Sequence, residues 1–193
     1  MFEEIYAKGG WHGVGSGRGS TPEYTAPFRH WLAQFMRDNA VRSVIDFGCG
    51  DWQWAVKMDW TDIDYLGLDV VPQVVRDNIA LHERSGVHFE RVAPDFSDVP
   101  QWEADLLLVK DVMQHWPLLK CQQFLALPWR CRLALFVNDG PISDNVDVEE
   151  GGYAMRDLQF APFWMKVEDV YRWNHKVVQL WRRRWPSESP ASS

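Results

Sequence analysis

The 193-residue chain has no apolar run approaching the roughly 18 residues that a membrane-spanning helix requires. Its first residues, Met1-Phe2-Glu3-Glu4, lack the basic stretch and apolar stretch of a secretory signal. Cysteine is scarce: Cys49, Cys121 and Cys131 are odd in number and form no CxxC pair. That excludes a disulfide framework and argues against a bound metal. The expectation is reduced thiols and a cytoplasmic protein. Basic charge is also in short supply, with a formal net charge of -7. A general nucleic-acid binder needs a basic face to neutralise phosphates, so nucleic acid is a poor candidate partner. The one dense basic run is Arg182 to Arg184. There is no internal repeat.

What is present fits one globular domain: 46% of residues are hydrophobic and 24% charged. Twelve tryptophans either fill the core or line a pocket for a flat or cationic ligand. Residues 8–22 are dense in Gly and Ser, which disfavours regular structure. Within that arm Trp11 and Arg18 are candidate substrate contacts, and the arm reads either as a loose terminus or as a flap over a ligand. We place the arm at residues 1–22, the folded domain at 23–185 and a Ser/Pro-rich, disordered tail at 186–193.

A helix is predicted to start near Thr21-Pro22, an N-cap followed by proline. Phe28, Trp31, Leu32, Phe35 and Met36 follow on one helical face, and the helix ends near Asp38-Asn39. Short strands are predicted at 41–47, 65–70, 87–92, 106–109 and 133–138, with helices at 52–58, 72–84 and 112–126 between them. Alternating strands and helices imply parallel βαβ units. Aliphatic strands without polar alternation imply a sheet covered on both faces. Residues 165–173 and 175–185 read as an antiparallel hairpin turning at Asn174.

The first strand runs into Val44-Ile45-Asp46-Phe47-Gly48-Cys49-Gly50-Asp51-Trp52. A strand, a Gly-x-Gly turn and a helix form a nucleotide-binding unit, because glycine lets the backbone approach a ligand closely. A dinucleotide site would place a third glycine where Gln53 stands. Asp46, two residues before Gly48, would also meet a pyrophosphate badly. It suits a cationic amine. Asp69 closes the next strand, where a carboxylate hydrogen-bonds ribose hydroxyls. One acid for an amine and one for a ribose describe an adenosyl amino acid, S-adenosylmethionine (SAM).

With these residues the chain resembles the class I SAM-dependent methyltransferase family, in particular a small bacterial subgroup with a Gly-Cys-Gly-Asp-Trp first motif. Val44 to Trp52 looks like the first motif and Gly67 to Val70 like the second. Ala93-Pro94-Asp95-Phe96 is similar to the segment that meets adenine, and Asp105 to Lys110, continuing to Trp116, to the fourth motif. The Gly15-Ser16-Gly17-Arg18-Gly19-Ser20 arm and the Asn145 to Tyr153 segment, ending Gly-Gly-Tyr, are also similar to that subgroup. The resemblance covers residues 21–185. It implies a Rossmann-like, seven-stranded, mostly parallel sheet with a C-terminal antiparallel hairpin and helices on both faces. It implies SAM contacts at Asp46, Gly48, Gly50, Trp52, Asp69, Val70, Asp95, Phe96 and Lys110. Trp52 departs from the common motif, which carries a further glycine there.

The acceptor side is read from residues beyond the fourth and fifth strands, where ligands of open α/β sheets bind. His115 has the intrinsic pKa of a general base, or it is a packed structural histidine. Asp111 either steers a cationic acceptor or caps a helix. Asp139 and Tyr153 are candidate acceptor contacts, the latter on a long loop after the fifth strand. Trp129, Trp164, Trp173, Trp181 and Trp185 read as core or sheet-face residues. The expected activity is methyl transfer to O or N of a small molecule or glycan. An RNA or protein acceptor and a non-catalytic SAM-binding subunit are the alternatives.

Overall fold

The fold was analysed in a computed structural model that describes residues 1–13, 15–98 and 103–183. The predicted tail at 186–193, Trp185 and the end of the basic run at Arg184 lie outside these residues.

Two kinds of local signal lay down the elements. Thr21 caps helix α2 (Pro22–Asp38), its hydroxyl accepting the Tyr24 N–H at 3.4 Å with proline at the first helical position. Apolar, β-branched runs form β1 (Ser43–Phe47), β2 (Asp64–Asp69), β3 (Val87–Arg91), β4 (Glu103–Lys110) and β5 (Arg130–Asp139). Helix α3 (Pro72–His82) joins β2 to β3, and α4 (Leu118–Leu125) joins β4 to β5. Strands β6 (Glu168–Trp173) and β7 (Lys176–Arg182) close the chain as the predicted hairpin, with Asn174 at φ +50° in its turn.

The seven strands lie in the order β3-β2-β1-β4-β5-β7-β6, and β7 alone is antiparallel to its neighbours. Strand residues alternate between two cores. Val44, Leu106, Leu133 and Leu135 face α2 and α3, while Ile45, Leu107, Ala134 and Phe136 face α4. The sheet is thus covered on both faces, as the continuous apolar strands imply. No helix among the described residues is long and apolar enough to cross a membrane. All three cysteines are free and buried.

Some expected elements differ. The helix predicted at 52–58 is only a short 3-10 turn, Ala55–Lys57. The helix predicted at 112–126 is broken into a 3-10 turn, Met113–His115, and α4, because Pro117 lacks an N–H and restricts the residue before it. The arm is more ordered than its glycine content suggests: Phe2–Ala7 forms helix α1, and short 3-10 turns follow at Trp11–Gly13 and Arg18–Ser20. Trp164, expected in the core or on the sheet, is 70% exposed in a turn. Between β5 and β6 the chain has no strand or helix. There the buried Arg156 guanidinium ties the segment down by donating to the carbonyls of Met113 (3.2 Å), Trp116 (2.8 Å) and Val146 (2.7 Å).

Candidate active-site cleft

Chain direction reverses between β1 and β4: β1 leads outward to β2 and β3 on one side, β4 to β5 on the other. The loops beyond the carboxyl ends of these two strands diverge and leave a crevice. A cleft enclosing about 730 Å³, part of it open to solvent, lies there.

The floor is the glycine turn. Gly48 (φ +77°) and Gly50 (φ +59°) hold left-handed backbone, which glycine adopts without steric cost. A Cβ on Gly48 would lie 2.3 Å from Val112, and one on Gly50 2.2 Å from the Ser16 hydroxyl. Glycine is therefore favoured at both positions by packing as well as by φ.

Two carboxylates flank this floor. Asp46 is buried on β1, and its Oδ2 accepts the Tyr65 hydroxyl at 2.6 Å. Tyr65 pairs with Val44 across the parallel β1/β2 ladder, which puts its side chain on the face of Asp46, two residues along. Burial pushes the Asp46 carboxyl up to about 7, although the Tyr65 hydrogen bond and the Lys110 charge favour ionisation. Asp69 ends β2. Its two oxygens accept the backbone N–H groups of Gly50 (3.0 Å) and Val71 (2.9 Å). Burial raises it to about 6 against those hydrogen bonds. Each oxygen keeps a further acceptor site, so the backbone orients the carboxylate without using it up. Val70 and Lys110 also line the cleft.

The remaining sequence candidates divide. Trp52 has left-handed φ (+57°) at the position where the common motif has glycine, yet its side chain is fully buried. Its ring packs on Tyr65, Phe89 and His82, with the Arg84 guanidinium 5.4 Å from the ring centre. Burying about 200 Å² of indole contributes about 5 kcal/mol. That outweighs the about 1–2 kcal/mol cost of left-handed backbone. Trp52 is thus core beneath the turn and not part of the cleft lining. Asp95 is exposed and accepts the Ser97 N–H and hydroxyl in a local turn (3.1 and 2.7 Å). Phe96 packs among Phe47, Trp116 and Phe124. Neither lines the cleft. Arg18 is exposed and also stands outside it.

On the far wall Asp111 holds left-handed φ (+59°) just past β4. Its carboxylate is gripped twice, by the Lys110 ammonium at 2.5 Å and by the Lys176 ammonium of β7. Burial alone would raise its pKa, but the two ammonium groups hold it below the ordinary carboxylate range. A charge so balanced is not a free anion for steering a cationic acceptor, and no helix is capped by it. Both expected roles are therefore replaced by an ion-pair network. Lys176 also reaches Asp139 Oδ1 at 2.5 Å, and the Tyr153 hydroxyl donates to Asp139 Oδ2 at 2.6 Å. Asp139 and Tyr153 do not line the cleft; Lys176 links them to Asp111 behind its wall.

His115 does line it, packed against Trp11 with ring centres 5.0 Å apart and planes tilted by 39°. Its Nδ1 donates to the Gly152 carbonyl at 2.8 Å, which leaves Nε2 as the basic nitrogen. Burial lowers its pKa from the ordinary histidine value. The ring is thus oriented at the cleft, with Nε2 3.4 Å from the Gln114 amide nitrogen.

Residues that sequence reasoning missed are Tyr65, Lys176, and Tyr6 and Ser16 of the arm. Tyr65 becomes visible once the β1/β2 register is known. Lys176 depends on β7 lying beside β5, for which the local sequence carries no signal.

No protein-family model matches the chain, and no curated protein is significantly similar to it. Solved structures do resemble it. A candidate O-methyltransferase from Nostoc punctiforme superposes with a TM-score of 0.62 at 14% identity over 82% of this chain and 56% of its own. PigF, solved with SAH, gives 0.59 at 14% identity over 84% of this chain and 60% of its own. A protein solved in a study of the conversion of a disulfide bond into a thioacetal group during echinomycin biosynthesis gives 0.57 at 16% identity, over 83% and 82% of the two chains. This chain thus spans little more than half the length of the first two. What these structures share with it is the fold: the seven-stranded mixed sheet of Rossmann-like methyltransferases.

Proposed function

We propose that this protein is a SAM-dependent methyltransferase that acts on an oxygen or nitrogen of a small molecule or sugar. The observation that carries the proposal is the placement of two buried carboxylates, Asp46 and Asp69, on either side of the Gly48–Gly50 turn at the carboxyl ends of β1 and β2. The donor set fits the cofactor. Asp46 faces the cleft as a partner for an α-ammonium, Asp69 as a partner for ribose hydroxyls, and Gly48 and Gly50 keep the floor clear of side chains. Neighbours of the same fold include one solved with SAH and one described as a candidate O-methyltransferase, which supports the same reading.

When bound, SAM supplies an electrophilic methyl group on a sulfonium. The chain's residues then have three tasks. Asp46, Asp69 and Lys110 bind and orient. Trp11, Trp54 and Trp116 exclude water from the cleft. His115 Nε2 accepts the proton of an acceptor hydroxyl or ammonium as that atom becomes a nucleophile.

The test is turnover. With SAM and a panel of phenols, sugars and amines, product mass should rise by about 14 Da, the mass of an added CH2, on a hydroxyl or amine compound. If the protein binds SAM and no acceptor across the panel is methylated, the non-catalytic SAM-binding reading replaces this one.

A further inference from the structure

The N-terminal arm forms the roof of the cleft. Phe2, Tyr6, Trp11, Ser16 and Ser20 line the same space as Asp46 and Asp69. Three attachments hold the arm down, and a Tyr6–Ser16 hydrogen bond braces it internally. The Ser16 N–H donates to Asp51 Oδ2 at 3.0 Å, while the Asp51 N–H donates to the Ser16 hydroxyl at 2.9 Å, a reciprocal pair. Tyr6 and Ser16 share a hydrogen bond between their hydroxyls at 2.7 Å. Lys110 donates to the Gly19 carbonyl at 2.9 Å. Trp11 packs against His115.

The Ser16–Asp51 pair sits on the glycine turn itself. The open face of Gly50, which the lack of a side chain leaves bare, is approached by both arm hydroxyls. A Cβ there would lie 2.2 Å from Ser16 Oγ and 3.2 Å from the Tyr6 hydroxyl. Burial and the nearby Asp69 carboxylate raise the Tyr6 pKa far above its ordinary value, so its hydroxyl stays a proton donor at every physiological pH. A donor and a donor-acceptor thus converge on the strip of backbone over which an adenosyl amino acid would lie.

We propose that Tyr6 and Ser16 are ligand-contact residues of the cofactor site and that the arm must lift for the cofactor to enter, then close over it. The inference rests on the SAM reading above. It makes Tyr6, Trp11 and Ser16 of the arm part of the active site and Asp51 the floor-side half of a latch. It also explains why an arm so rich in glycine carries Trp11 and Ser16, which meet His115 and Asp51 across the cleft, and Tyr6, which meets both Trp11 and Ser16.

The probe is S-adenosylhomocysteine (SAH), with binding measured by calorimetry on the whole chain. Tyr6→Phe and Ser16→Ala should each weaken SAH by about tenfold, the loss expected for one buried hydrogen-bond partner. The melting temperature of the unliganded variants is measured alongside, so that weakened binding is scored only at temperatures where the variant is folded. The second readout is trypsin cleavage after Lys8 and Arg18, both exposed on the arm. Saturating SAH should slow cleavage at both sites several-fold in the unaltered protein and less in Ser16→Ala. If SAH binds the unaltered protein while both variants bind it with unchanged affinity, the contact claim is overturned. If SAH binds and arm cleavage is not slowed, the closure claim is overturned. Failure of SAH to bind the unaltered protein at all overturns the cofactor reading itself.

Discussion

The Tyr65 hydroxyl donates to the buried carboxylate of Asp46 at 2.6 Å, joining β2 to β1 directly beneath the cleft. Even with that donor, burial leaves Asp46 at about 7 and Asp69 at about 6, well above the ordinary carboxylate value. Between pH 4 and 7 the folded chain therefore holds protons that the unfolded chain has released. The stability these two groups contribute is complete near pH 4 and is lost as pH rises through about 6 and 7. Urea midpoints of the unliganded protein should fall between pH 5 and pH 8, and Asp46→Asn should flatten that fall. An Asp46→Asn profile parallel to the unaltered one would contradict the assignment.

Lys176 joins Asp111 to Asp139 in a buried network. Lys176→Met leaves both carboxylates short of a counter-charge, which should cost about 3–5 kcal/mol of stability. Adding Asp139→Asn should recover part of the loss, since one of the stranded charges is removed. Equilibrium urea unfolding checks this. A cost below about 1 kcal/mol would mean that solvent, not Lys176, balances the acids.

His115 is oriented by the Gly152 carbonyl, and burial lowers its pKa. If Nε2 takes the acceptor proton, the acidic limb of kcat/KM should fall below pH 6.5, the ordinary histidine value. His115→Ala should remove that limb and lower kcat by about 10²- to 10⁴-fold. A limb that persists in His115→Ala assigns the histidine to packing alone.

Trp52 replaces a glycine of the common motif and lies in the core. Restoring that glycine, Trp52→Gly, should destabilise the protein by about 3–5 kcal/mol, the cost of emptying a buried indole site. Relief of left-handed strain offsets only a small part. A variant as stable as the original would show that the ring contributes little to the core.

The sheet was legible because strand residues such as Leu106 to Val109 are uninterrupted and apolar, and because Asn174 marks the hairpin turn locally; Thr21-Pro22 likewise marked the start of α2. Asp46, Gly48, Gly50 and Asp69 were legible as cleft residues because they stand at two strand ends and on the glycine turn between strand and loop. Trp52 and Phe96 stand outside the cleft lining for a shared reason: a motif gives positions along the chain, and side-chain direction at a left-handed residue, as both are, is not set by strand or helix periodicity. Tyr65 and Lys176 act through strand neighbours distant in sequence, so no local window contains the partners. The arm was the hardest, because its glycines suggest freedom while its few side chains find fixed partners across the cleft.

The central claim is that the cleft at the ends of β1, β2 and β4 binds an adenosyl amino acid. Calorimetric titration with SAH tests it most directly, using the unaltered chain and Asp69→Ala. The account predicts one-to-one binding to the unaltered chain and a sharp loss in Asp69→Ala, which removes both the ribose acceptor and the partner of the Gly50 and Val71 N–H groups. No heat of binding with the unaltered chain, or equal affinity in the two, would contradict it.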